Sequence, residues 1–466
     1  MLKRLTALFL SVCLSGATGL AAAEEVALDS AFGSGGLVTT ELGAGIDTAT
    51  SIAVQDDGRI IVAGSSDNGL GSKMAVVRYL PDGSIDHEFS FSMGGSLGTV
   101  YGDDAVQAVV LRDDGQILLG GTLTVDGVRQ GAVVSLLSYG QLDVNFGVGG
   151  IASINVGDLD SEIYDVIVDA AGRIVVTGFV ADGMTENPFI ARFNGNGEPD
   201  SGFQEAGTLI DTLVEGRGTG LAESADGSVI VGGYSIRDGE WKGLYLGRYL
   251  ENGDPDDQFG DGGRSVWFDD VEQIAVHDIA LSADEKIILA GDVETADGRQ
   301  RIMLARYGKE GQPDPGFGEN GILVYDSGMD SSVNSLVVNA DSTIIAAGYQ
   351  TSATGKDMLI IRYLPGAEAE EAVDTIESAA DTDMPEDEPV EIFRISALSI
   401  EEGPLNIPVA DQLVRTPEAD LITTELAGSD EVGNAVLMTE DGSIYTAGYS
   451  GDDDNSAFMV ARYSGL

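Results

Sequence analysis

Seven copies of one phrase constrain what this chain can fold into. "DDGRIIVAG" (Asp56–Gly64) returns as "DDGQILLGG" (Asp113–Gly121), "AAGRIVVTG" (Ala170–Gly178), "ADGSVIVGG" (Ala225–Gly233), "ADEKIILAG" (Ala283–Gly291), "ADSTIIAAG" (Ala340–Gly348) and "EDGSIYTAG" (Glu440–Gly448). The closing glycines stand about 57 residues apart, apart from the long last step from Gly348 to Gly448. Such a period marks one supersecondary unit that buries its apolar surface only against its neighbours.

Each unit holds four short runs. In the first copy they are Leu37–Leu42, Thr50–Gln55, Ile60–Ser66 and Met74–Leu80. They are β-branched and bounded by Gly, Asp, Asn or Pro, so they read as strands. Asp57-Gly58 joins the second run to the third and suits the positive φ of a tight hairpin. "IIVAG" is almost wholly apolar, which predicts burial on both faces. Seven such units predict an all-β, seven-bladed β-propeller of four-stranded blades. A linear solenoid would repeat with fewer residues per turn.

"VVRYLPDGSID" (Val76–Asp86), "IARFNGNGEPD" (Ile190–Asp200), "LGRYLENGDPD" (Leu246–Asp256) and "LARYGKEGQPD" (Leu304–Asp314) each precede a turn containing Phe. Together with "DGRIIVAG" and the "LDxxFGxxG" pattern they resemble the delta-60 repeat family of bacterial propeller-type proteins. The resemblance covers roughly residues 28–366 and 421–466. It implies an exported or surface protein and carries over no catalytic residue. The phrasing is also similar to NHL-type propellers. That likeness implies a strand order within the blade: "SIAVQ" innermost, then "RIIVAG", then "MAVVRYL", with "GLVTTEL" at the outer edge.

The ends of the chain fit one closed ring. "FMVARYSGL" (Phe458–Leu466) stops where an outer strand should follow, and "LDSAFGSGGLVTTEL" (Leu28–Leu42) begins with that missing piece. Leu37–Leu42 is therefore expected to complete the last blade. "LITTEL" (Leu421–Leu426) is expected to be the outer strand of the sixth. Between them, residues 367–420 form an insertion, whose first part (Ala367–Glu391) has 11 acidic residues and no basic one. Such a composition predicts partial disorder.

Lys3, Arg4, the apolar run Leu5–Leu14 and Ala21-Ala22-Ala23 predict a signal peptide over residues 1–23. The propeller would then occupy residues 24–466, in the periplasm or outside the cell, as a monomer with no membrane span after cleavage. Cys13 is the one cysteine. A lipoprotein reading of Cys13 meets the bulky Val12 before it. Without Cys13 the chain has no disulfide, thiolate nucleophile or Cys-bound zinc.

The charge excludes partners. With 24 basic and 78 acidic residues, the net charge of −54 repels nucleic acid and anionic membranes. Two uses of the acids remain open: solubility in a salty medium, or binding of Ca²⁺ as a candidate cofactor. Asp254, Asp256, Asp257 and Asp261, and Asp452, Asp453 and Asp454, are the candidate ligands, because they put oxygens on turns.

Arg78, Arg192, Arg248, Arg306, Arg362 and Arg462 each precede an aromatic residue. A ring of arginines could clamp an anion. A residue present in almost every blade more naturally serves the blade, paired with Asp86, Asp200, Asp256 or Asp314. In the second copy, Ser138-Tyr139 is read at the place of Arg-Tyr. "GFGENG" (Gly316–Gly321) has dinucleotide-motif spacing, but a strand follows it where that motif needs a helix. His87 and His277 are far apart in the repeat, which argues against a Ser-His-Asp triad or a multi-His metal site.

The spans Ser65–Lys73, Thr122–Gln130, Phe179–Pro188, Tyr234–Lys242, Asp292–Gln300, Tyr349–Asp357 and Tyr449–Ser456 vary most and are read as loops of one face. Tyr234, Arg237, Trp241, Tyr349 and Tyr449 are candidate anchors there, though Tyr234, Tyr349 and Tyr449 share one repeat position and could simply pack between blades. The expected function is a non-catalytic scaffold that binds a protein, glycan or surface polymer. The alternative is a hydrolase or lyase that acts on polysaccharide through carboxylates, with Ca²⁺ as a candidate helper.

Overall fold

The computed structural model describes residues 27–464 except 43–44, 68–70, 92–102, 155, 158, 238–239, 269–272, 353–354, 364–418, 425–429, 440 and 453–454. The expected signal peptide, residues 1–23, and nearly all of the 367–420 insertion therefore lie outside the described residues. The described chain forms seven antiparallel sheets in sequence order. Blade 3 is representative: Asp160–Val168, Ile174–Ala181, Glu186–Phe193 and Thr208–Ile210 neighbour one another in that order. The first strand of each blade lies against the first strands of the blades before and after it. That of blade 7 (Asp430–Met438) closes on that of blade 1 (Asp47–Val54). This is the seven-bladed propeller, with the strand order expected.

Blade 1 has three described strands, Asp47–Val54, Ile60–Asp67 and Ser72–Tyr79. The span where its fourth would fall, 92–102, lies outside the described residues. The ring closes as expected. Leu37–Thr40 pairs with the last strand, Leu37 opposite Ala461 and Thr40 opposite Phe458. Ala27 and Leu28 extend the same edge opposite Ser464 and Tyr463. Ala419–Thr424 takes the matching outer place in blade 6. Closure removes the open edges that would otherwise template misassembly.

The second strands are the core. Ile60–Gly64 is fully buried, because each blade is sandwiched between two others. Leu118 and Val133 of blade 2 pack with Ile163, Val176 and Phe189 of blade 3 in one apolar cluster. Burying one such side chain contributes about 1.5–3 kcal/mol. The seams between blades therefore carry most of the hydrophobic stabilisation.

Every inner strand carries a β-bulge at one shared place. The register slips between Ala49 and Ser51, Val106 and Ala108, Ile163 and Asp165, Gly218 and Gly220, Val276 and Asp278, Val333 and Ser335, and Gly433 and Ala435. The closing glycine of "IIVAG" makes the bulge possible. A Cβ on Gly64 would stand 1.9 Å from the Thr48 carbonyl oxygen, and one on Gly178 1.8 Å from that of Glu162. No other residue fits there, which is why glycine ends all seven copies.

The hairpins between second and third strands are shorter than the sequence suggested. Ile117–Val125 and Val128–Leu136 leave only Asp126-Gly127 as a turn. Both turn residues have positive φ, 52° and 83°, as such a turn requires. Most of the spans read as loops are paired strand, because the alternation continues past the glycine.

Candidate functional site

The disc has two unlike faces. One carries the Asp-Gly hairpins and the turns that follow the third strands. The other carries the tight hairpins between second and third strands.

On the first face the arginines form a belt. Arg78 Nε donates to Asp86 Oδ2 at 2.8 Å, Arg192 to Asp200 at 2.8 Å and Arg306 to Asp314 at 2.8 Å. Arg248 lies 3.4 Å from Asp256, and Arg462 pairs with Asp29. The guanidinium also stacks on the turn phenylalanine, 4.7 Å from Phe89 for Arg78 and 4.7 Å from Phe203 for Arg192. Arg306 also reaches the Gly316 carbonyl of its own turn at 3.0 Å, and in four other blades a further donor crosses to the next blade. Arg78 reaches the Ser138 carbonyl at 2.5 Å, Arg192 that of Glu251 at 2.5 Å, Arg248 that of Lys309 at 3.0 Å and Arg462 that of Pro81 at 2.9 Å. Arg362 is buried at the same place in blade 6. The belt is thus engaged within the protein, which leaves the anion-clamp reading without support.

Blade 2 corrects one alignment. Register puts Ser135 opposite Leu118 just as Arg78 stands opposite Ile61. Ser135-Leu136, not Ser138-Tyr139, replaces Arg-Tyr. The tie to blade 3 survives through another residue. Arg112 Nη1, from the end of the inner strand, donates to the Gly195 carbonyl at 2.6 Å.

The opposite face differs from blade to blade. The seven bulged residues ring the channel and are all polar: Thr50, Gln107, Tyr164, Thr219, His277, Asn334 and Asn434. In blades 1, 6 and 7 they bind the next blade. Thr50 donates to the Val106 carbonyl at 2.6 Å, Asn334 to Gly433 at 3.1 Å and Asn434 to Ala49 at 2.8 Å. Blades 3 to 5 bring charged and aromatic groups to this place. Tyr164 accepts from Arg217 at 2.7 Å, while Arg217 forks onto Glu186 at 2.5 and 2.7 Å and lies 4.2 Å over Phe179. His277 Nε2 lies 2.8 Å from Asp292 Oδ1. Buried Asp292 also accepts from Ser332 Oγ at 2.6 Å and Gln300 Nε2 at 3.1 Å. Ser332 therefore bonds the carboxylate and not the imidazole, so this is not the Ser–His–Asp order of a hydrolase.

Deeper in the ring sit two carboxylates. Asp165 Oδ2 accepts from the Leu221 amide at 2.7 Å, and Asp278 Oδ2 from the Leu336 amide at 2.9 Å and Ser335 Oγ at 3.0 Å. Burial pushes the Asp165 carboxyl up to about 8, helped by the nearby Asp278 charge. Burial likewise pushes Asp278 up to about 6. In blade 1 Ser51 does the same work uncharged, accepting from the Val109 amide at 3.0 Å.

The expected anchors divide. Tyr234 is 5% exposed, so it packs between blades. Tyr349 and Tyr449 are half-buried. Tyr349 donates to Gln300 Oε1 at 3.3 Å, and Lys356 sits 4.1 Å over its ring. Arg237 and Trp241 end the blade 4 hairpin, Arg237 opposite Glu240 and Trp241 opposite Ile236. Their side chains lie outside the described residues.

Among the described residues, no three His, Cys, Asp or Glu side chains group as a metal site. Asp254 is held by Gln204 at 2.7 Å and Asn252 at 2.7 Å, and Asp256 accepts from the Gln258 amide at 3.0 Å. Asp257 and Asp261 are exposed. Asp452 ends its strand, while Asp453 and Asp454 lie outside the described residues.

Four stretches of the chain, 55–89, 112–146, 172–203 and 282–317, match the family described as a β-propeller domain of unknown function, DUF5122. No curated protein matches the chain in sequence. Among solved structures it is similar to the polysaccharide lyase Uly1, at 9% identity and TM-score 0.47, covering 90% of each chain. It is similar to YCF48 from Cyanidioschyzon merolae, at 8% identity and TM-score 0.45, covering 91% of this chain and 98% of that one. The PQQ-bound aldose sugar dehydrogenase from Streptomyces coelicolor follows at 11% identity and TM-score 0.39, covering 67% of this chain and 92% of that one.

Proposed function

We propose that this chain is an exported, non-catalytic propeller of the delta-60 kind that binds its ligand at the mouth of the channel on the hairpin face. One observation carries the proposal. The belt face repeats the same contacts in blade after blade, whereas the hairpin face is chemically different in blades 3 to 5. Residues that serve the ring recur, and residues that serve a ligand need not. The signal-like leader supports export.

The second reading is a carboxylate-based hydrolase or lyase. Asp165 and Asp278 are its best pair, since their raised pKa values suit acid–base work. Their oxygens, however, accept backbone amides of neighbouring blades. That favours a role in the ring over one in chemistry.

A labelling experiment tests the binding face. Cys13 is the one native cysteine, so a single introduced cysteine can be labelled once Cys13 is removed with the leader or replaced. Met184 is 90% exposed on a hairpin of the ligand face, and Val148 is 87% exposed on a turn of the belt face. A bulky polymer on Met184→Cys should block a ligand found by glycan or peptide array, and the same label on Val148→Cys should not. The opposite pattern rejects the face assignment. A polysaccharide panel cleaved in an Asp165- or Asp278-dependent way would favour the second reading.

A further inference from the structure

Most charged groups described at the channel mouth are already paired. Arg217 is forked by Glu186, and Arg129 pairs with Glu162 and Asp160. Asp292 accepts three side-chain donors, and Asp165 and Asp278 accept backbone amides. The overall charge of −54 opposes a polyanion. Glu215, just before the blade 4 inner strand, stays exposed.

Two polar side chains of the bulge ring keep a hydrogen-bonding position without a described partner. With Nε2–H donated to Asp292, His277 keeps Nδ1 as a second hydrogen-bonding position. Its side chain is 34% exposed, and no described residue bonds Nδ1. Half-buried Gln107 likewise has no bond to its side-chain amide among the described residues. In the other bulged positions with described bonds, side chains hold the ring or a neighbour. Blades 2 and 5 stand on opposite sides of the channel, so a ligand touching both residues spans the mouth. Only blade 5 has a carboxylate at the Asp292 position; the others have Ser65, Thr122, Phe179, Tyr234, Tyr349 and Tyr449. The imidazole is therefore oriented by a residue found in no other blade.

We propose that the mouth takes an uncharged, hydroxyl-rich glycan chain, with His277 Nδ1 bonding one hydroxyl and Gln107 another. This rests on the hairpin-face reading and narrows it to a ligand class.

The chain has two histidines, His87 and His277. Full-length protein labelled with ¹⁵N-histidine therefore gives two imidazoles, and His87→Gln assigns them. Long-range ¹H–¹⁵N spectra should show His277 as the Nε2–H tautomer, and Asp292→Asn should remove that preference. At least one of cellohexaose, maltohexaose and laminarihexaose should move the His277 Nδ1 resonance and leave His87 in place. His277→Gln and Gln107→Ala should each weaken that hexaose about fivefold, the worth of one hydrogen bond. No response to any hexaose overturns the proposal. A response only to hexalysine or to oligogalacturonate overturns the ligand class. Hexaose binding that a label on Met184→Cys blocks but His277→Gln leaves unchanged overturns the contact, and the hairpin-face reading survives.

Discussion

The belt and the channel mouth are built on the same blades, the one on third strands and the other on first strands, and they obey different rules. In the belt an arginine, an aspartate and a phenylalanine recur, and the arginine crosses the seam to a carbonyl of the next blade. Where blade 2 loses the arginine, Arg112 restores the crossing bond. At the mouth the crossing contact is not restored in one form. Thr50, Asn334 and Asn434 donate to a carbonyl of the next blade, Tyr164 accepts from Arg217 of the next blade, and His277 turns to Asp292 of its own blade. Restoration marks a contact the fold needs. Its absence marks positions that the fold leaves free to vary.

The largest effect should come from opening the ring. Deleting residues 27–42 removes the pairing of Leu37–Thr40 with the last strand and exposes an edge of blade 7. Cooperative thermal unfolding should be lost; a deletion variant melting like the wild type would reject closure. Gly178→Ala comes next. Its Cβ would clash with the Glu162 carbonyl at 1.8 Å, which should cost about 3–4 kcal/mol in urea unfolding, at the upper end for single substitutions. Arg192→Ala should cost about 3 kcal/mol, since it leaves a mostly buried Asp200 without its cation. Arg192→Lys should recover only part of that, lacking the planar fork and stack.

The mouth should behave differently. Asp165 and Asp278 hold protons in the folded state that the unfolded chain has released above about pH 4. Their contribution is complete below that pH and is lost as pH rises through about 6 for Asp278 and about 8 for Asp165. Stability should therefore fall between pH 5 and pH 8, by at most about 1.4 kcal/mol per pH unit for each proton. Asp165→Asn with Asp278→Asn should flatten the profile, because an amide oxygen still accepts the Leu221 and Leu336 amides. A profile unchanged in the double variant would show that neither group titrates in that window. The smallest effect belongs to His277→Gln, expected within about 0.5 kcal/mol of wild type. A loss as large as that of Arg192→Ala would make His277 part of the scaffold.

Much of the scaffold was legible in the sequence because the repeat states it seven times. The Asp-Gly hairpins, the apolar second strands and the half-repeat at each end sufficed to read seven blades and their closure. The Arg–Asp pairing was legible as an eight-residue spacing, Arg78 to Asp86 or Arg192 to Asp200. The second copy misled, since Ser138-Tyr139 looked like Arg-Tyr while the register belongs to Ser135. The mouth was not legible. A bulged residue has no cross-strand partner and so no fixed rhythm in the sequence. Its signal was the glycine that ends "IIVAG", which a bulge demands of the facing strand. Arg217 with Glu186, and His277 with Asp292, are joined only by folding and carry no motif.

Amide hydrogen exchange on the full chain, with and without a binding neutral hexaose, tests the division between the two faces most directly. Protection is expected in the inner strands Ala105–Leu111 and Gln273–Leu281 near their bulges, which carry Gln107 and His277. The belt turns at 81–86, 194–200 and 251–256 should exchange as before. Protection confined to those turns would contradict the account.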